Sequence, residues 1–113
     1  MRQASEPRSV YLTPFTPEVE EELDQLVHYQ LNTPTELSVA EEIERYKKQR
    51  NNGRDGIRRN TKILDQLGEQ NEMNKDAIER AKGNLFWARL DYELASRALR
   101  IIEHIMEENK RNV

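Results

Sequence analysis

The segment IRRNTKILDQLGEQNEMNKDAIERAKGNLFWARLDYELASRALRIIEHIMEEN, residues 57–109, decides the fold. It contains no proline, and helix formers dominate it. Taking every third and then fourth residue gives Ile57, Asn60, Leu64, Leu67, Asn71, Asn74, Ile78, Ala81, Leu85, Ala88, Tyr92, Ala95, Leu99, Ile102 and Met106. Alternating spacings of three and four, sustained for about seven heptads, are the pattern of a helix that packs along a partner helix. The spacing predicts one long amphipathic helix over about 56–110 in an all-α chain, a helical bundle or coiled coil. The same frame continues backward through Gly53, Arg50, Tyr46, Ile43 and Val39, of which Gly53 and Arg50 are poor core residues.

A second apolar stripe, Trp87, Leu90, Leu94, Ala98, Ile101 and Ile105, lies on a different side of the same helix. A helix with two apolar faces needs at least two neighbours, because a two-stranded coil would leave one face wet. A bundle of three or four helices satisfies both faces. The small residues Ala81, Ala88 and Ala95 let a neighbour approach closely. The residues expected at helix interfaces are therefore Ile57, Leu64, Leu67, Ile78, Leu85, Trp87, Tyr92, Leu99, Ile102 and Met106. Trp87 admits two readings, bundle core or a partner-binding hot spot.

Upstream, residues 1–15 carry Pro7 and Pro14 without any period and are read as a flexible tail before a helical domain over 16–113. Thr16 then offers an N-cap and Pro17 suits the first helical position. Glu18, Glu20, Glu21 and Glu22 complement the helix dipole. Val19, Leu23, Leu26 and Val27 trace one face of a helix over about 17–31. Thr33-Pro34-Thr35-Glu36 offers a capping box, with Thr33 as N-cap, for a second helix over about 34–50. Arg50 to Gly56 holds two glycines and two asparagines, so either a turn or a frayed helical joint is expected there.

Composition narrows the function. Of 113 residues, 35% are hydrophobic and 35% charged, with a mean hydropathy of −0.99. That is more polar than a compact core of this length requires, so an extended shape is expected. Lys and Arg number 18 against 21 Asp and Glu, a net charge of −3, and the signs are interspersed. This argues against nucleic acid as the main partner. With no cysteine, disulfides, thiolate nucleophiles and cysteine-based zinc sites are excluded, which points to a reducing compartment. Neither a secretion signal nor a membrane span is legible, and a cytoplasmic location is expected.

The centre of the seam is polar: Gln70, Asn71 and Asn74 follow Leu64 and Leu67. A buried amide without partners costs about 1–3 kcal/mol, so such a layer in a packed seam specifies register or partner. The other reading is that the patch faces solvent or that the helix breaks near Gly68. Gly56-Ile57-Arg58, Ile63-Leu64-Asp65-Gln66-Leu67-Gly68-Glu69-Gln70-Asn71-Glu72 and Ala81-Lys82-Gly83-Asn84-Leu85 resemble the first SNARE motif of the synaptosome-associated light chains, a Qb-type Q-SNARE motif, and their fungal exocytic relatives. The resemblance implies that Gln70 forms the polar layer of a four-helix fusion bundle, that Leu67 forms the layer before it, and that the seam from Ile78 to Leu99 forms the membrane-proximal layers. It implies syntaxin-like and synaptobrevin-like partners in vesicle transport, with peripheral membrane attachment through those partners. The heptad frame itself runs through Asn71.

Residues suited to chemistry are few. His28 and His104 fall on separate helices, and His104 with Glu108 has only the i,i+4 spacing of a two-ligand site. The Glu-x-x-His iron pattern fails because Ile101 stands three residues before His104. No serine elbow or glycine-rich phosphate loop appears, so neither an enzyme nor a cofactor is expected. Arg45, Lys47, Lys48, Arg50, Arg54, Arg58 and Arg59 form the one basic concentration, which suits anionic phosphate or a solvated face balanced by Glu41, Glu42 and Glu44. The leading expectation is a helical protein–protein assembly module, SNARE-like by resemblance. The alternatives are a self-contained bundle acting as a homo-oligomeric regulator or adaptor, and, more remotely, nucleic-acid binding through the basic run.

Overall fold

The computed structural model describes residues 12–67 and 75–111; residues 1–11, 68–74 and 112–113 lie outside the described part. It is all-α, with α1 over Pro17–Asn32, α2 over Val39–Leu67 and α3 over Lys75–Arg111. α1 begins as its sequence dictates. Thr16 Oγ1 accepts from the Val19 amide at 3.3 Å, Pro17 occupies the first turn, and Glu18 and Glu20 sit at the positive end of the dipole.

α2 begins five residues later than the Thr33 box suggests, at Val39 and not Pro34. Ser38 is the cap: its Oγ accepts from the Glu41 amide at 3.1 Å, while the Ser38 amide donates to Glu41 Oε1 at 2.8 Å. This reciprocal pair satisfies two amides, which favours Ser38 over Thr33. Thr33 instead closes α1, its hydroxyl donating to the Tyr29 carbonyl at 2.6 Å and its amide to the Gln30 carbonyl. Its extended backbone, φ −85° and ψ 126°, is what a residue before proline prefers.

The glycine-rich joint after Arg50 is neither turn nor frayed end; α2 runs through it without a break. Packing explains why helix is retained there despite poor propensity. A Cβ on Gly53 would lie 2.8 Å from the Tyr92 amide nitrogen and 3.0 Å from the Ala88 carbonyl oxygen, and one on Gly56 would lie 2.9 Å from Ala88 Cβ. The two glycines and Ala88 are thus the point of closest approach between α2 and α3.

The expected single helix over 56–110 is divided: α2 ends at Leu67 and α3 starts at Lys75. The heptad frame is the same on both sides because the two halves are each other's partner. Leu64 packs with Ala81 and Leu85, Gly56 meets Ala88, Gly53 meets Tyr92, and Tyr46 packs with Ala95 and Leu99. As residue numbers fall along α2 they rise along α3, so the pair is an antiparallel hairpin. Seven-residue periodicity specifies a seam and leaves open whether the facing helix belongs to another chain.

α1 covers the second stripe. Leu23 and Val27 are fully buried with Leu94 and Ala98 of α3 and with Tyr46, while Leu90, Ile101 and Leu31 flank the cluster. Phe15 meets Phe86, Glu20 meets Arg97, and Gln30 reaches Tyr46 beside Leu99, so α1 runs parallel to α3. The result is a three-helix bundle at one end and a two-helix hairpin at the other. Its radius of gyration, 17.4 Å, exceeds the roughly 13 Å of a compact domain of this length, which accounts for the polar composition.

Candidate helix-docking surface

α3 carries exposed apolar residues at both ends of the stripe that α1 partly covers, Trp87 at one end and Ile105 at the other. Of the expected interface residues, Leu64, Leu85 and Leu99 are buried between α2 and α3, and Ile57, Leu67, Ile78, Tyr92 and Ile102 are partly buried there. Two are not core. Trp87 is 65% exposed and Met106 42% exposed. Trp87 lies one heptad before Leu94 on the stripe that α1 covers, but α1 starts at Pro17 and reaches no further. Met106 and Val39 together form the open end of the hairpin, where no helix caps them among the described residues. Gln70, Asn71 and Asn74, the expected polar layer, lie outside the described residues.

The aromatic end of the stripe is organised. The Phe86 ring lies edge-on to Trp87 at 5.7 Å and to Phe15 at 6.1 Å between centroids. The Arg89 guanidinium stacks 4.4 Å over Phe15 and donates to the Thr13 carbonyl. Burial lowers the Arg89 pKa below its ordinary value, with Glu93 opposing. Leu12 to Phe15, read as tail from composition, therefore includes a residue that is pinned. One large aromatic among prolines was the only hint of it.

Where α1 sits on α3, Arg97 ties the two helices together beside the buried Leu23 and Val27. Its Nη2 donates to Glu20 at 2.7 Å, Nη1 to Asp24 at 2.9 Å and Nε to Glu93 at 3.2 Å. Desolvation disfavours the Arg97 charge, but hydrogen bonds to Glu20, Glu93 and Asp24 outweigh it and raise the pKa. Arg97 was not singled out from sequence. The i,i+4 pairing with Glu93 and the one-sided acidity of α1 were the signals that mark it.

No protein-family model matches the chain, and no curated protein and no solved structure is significantly similar to it.

The remaining candidates stand as follows. Arg45 is bonded to Glu42 at 2.8 Å, Lys47 lies 3.9 Å from Glu44, and Arg54 donates to Asn51, so the basic run is threaded with intrahelical partners. His104 Nε2 lies 3.6 Å from Glu108 Oε2 on the exposed face of α3. Among the described residues no group of three or more His, Asp or Glu side chains is placed to hold a metal ion. No described helix is long and apolar enough to cross a membrane.

Proposed function

We propose that this chain is a helical protein–protein interaction module: a bundle that is complete within one chain and presents the uncovered end of the α3 stripe, centred on Trp87, to a partner. One observation carries the reading. The long seam is satisfied by the α2–α3 hairpin, with Leu64 and Ala95 at 0% exposure, whereas the single tryptophan stands in solvent on the second stripe. Tryptophan is the residue that contributes most to binding when a partner desolvates it.

Replacing Trp87 by a photo-crosslinking phenylalanine analogue tests this in cells. The expected result is capture of one or a few proteins that the same analogue at Arg100, exposed but off the stripe, does not capture. Identical patterns at the two positions would contradict the reading.

The SNARE-type reading remains the second proposal, supported by the motif residues around Leu67 and Gln70. It requires the hairpin to open so that the seam faces other chains. Circular dichroism separates the two: the module is fully helical alone, while a SNARE-type chain gains helix on mixing with syntaxin-like and synaptobrevin-like helices.

A further inference from the structure

The seat of α1 on α3 has three properties of a ligand site that is occupied from within. First, the occupant is weakly held. α1 buries only Leu23 and Val27 completely, meets α2 through the Tyr46 region alone, and is 16 residues long, near the limit below which isolated helices are unstable.

Second, the seat is selective for charge. Along α1, Glu18, Glu20, Glu21, Glu22 and Asp24 stand without one Lys or Arg, and Arg97 clasps Glu20 and Asp24, which bracket the buried Leu23. The pattern Arg97 reads is Glu-x-x-Leu-Asp-x-x-Val, residues 20–27.

Third, the seat is longer than its occupant. Trp87 and Ile105, 65% and 51% exposed, extend the stripe past both ends of the covered part. Thr16 and Pro17 stop α1 before it can reach Trp87, and because α1 runs parallel to α3, a helix that continued N-terminally for about two turns would cover it.

We infer that the α1 seat is a receptor for an acidic amphipathic helix of another protein, which displaces α1 and gains the additional contact with Trp87. The inference rests on the module reading above and names its partner class and its competitor. Tethered α1 acts at an effective concentration of about millimolar, so a helix in trans binds weakly until α1 is weakened or a longer helix replaces it.

The test uses the full chain and two fluorescein-labelled peptides. One copies residues 16–33. The other carries Thr16→Leu and Pro17→Glu, with two helical turns added ahead of them. In the Leu23→Asp/Val27→Asp variant the short peptide binds at least about tenfold tighter than in the unaltered chain, as expected from removing a millimolar competitor. The long peptide binds tighter still and shifts Trp87 emission to the blue. Adding Arg97→Glu weakens binding of both by at least about fivefold, as expected from losing screened ion pairs and adding a like charge. Because aspartates in the core can unfold the chain, Glu20→Lys/Asp24→Lys provides a second release of α1, with helicity checked by circular dichroism.

A folded, released chain that binds neither peptide, or binds them equally well with Arg97→Glu, would overturn the inference. So would an unaltered chain that sediments as a dimer by exchanging α1, since the occupant would then be its own copy. If the peptides fail while the Trp87 crosslink still captures a specific protein, this inference falls and the module reading stands; if both fail, both fall.

Discussion

Gly53 of α2 rests on the backbone of Tyr92 in α3, so closely that a Cβ on the glycine would lie 2.8 Å from the tyrosine amide nitrogen. The neighbour is backbone and cannot rotate away. Gly53→Ala therefore forces the two helices apart, an overpacking cost of about 1–3 kcal/mol that outweighs the gain of about 1 kcal/mol in helix propensity. A fall in melting temperature of several degrees is expected by calorimetry, and an unchanged or raised value would show that the helices do not meet there.

Gly83 supplies the matching control on α3, where a Cβ meets nothing within 4 Å. Gly83→Ala should stabilise the chain by about 0.5–1 kcal/mol, because only the propensity term remains. Chemical denaturation of both variants side by side reads the sign of each.

The start of α2 separates two caps. Ser38→Ala removes the hydroxyl that accepts from the Glu41 amide, leaving the Ser38 amide's own bond to Glu41 Oε1, and should cost about 1 kcal/mol, whereas Thr35→Ala, inside the Thr33–Glu36 box read from sequence, should change stability by less than about 0.5 kcal/mol. Equal losses would contradict the cap assignment. Sequence showed that a cap was needed near Pro34 and named the wrong one, because Thr-Pro-Thr-Glu and Ser-Val-Ala-Glu both have the capping-box spacing. Only the path of the chain out of α1, with Thr33 bonded back to Tyr29, decides between them.

Arg97→Met removes the clasp on α1. The Arg97 side chain is 20% exposed but Glu20 and Asp24 are 44% and 64% exposed, so solvent screens the pairs and the whole network contributes only about 1 kcal/mol. The loss should shrink as salt is raised, and hydrogen exchange should rise in α1 before it rises in α2 or α3. Uniform acceleration across the chain would mean that α1 is not the weakest element.

Much of the fold was legible and part of the site was not, for one physical reason. Periodicity reports which side of a helix is apolar, so the all-α class, both α3 stripes and the core positions Leu64, Leu85 and Leu99 could be read from spacing. It carries no information on the chain that supplies the opposing helix. The seam was consequently extended across Leu67 and Lys75 as one helix, although Gly53, Gly56 and Ala88 are the small residues that a close hairpin demands. Trp87 could be placed on its stripe, but its exposure depends on where α1 stops. Arg97 was hidden because three acidic partners from two helices converge on it only in the folded chain.

The central claim, that α2 and α3 close the heptad seam within one chain, is tested most directly by a spin-label distance between Lys48→Cys and Arg100→Cys, both exposed and in a chain with no native cysteine. The labelled protein is diluted in unlabelled protein so that only distances within one molecule are read. A hairpin places the labels within about 25 Å, given helix axes about 10 Å apart. A continuous helix through the same seam would place them roughly 80 Å apart at 1.5 Å per residue, and that result would contradict the account.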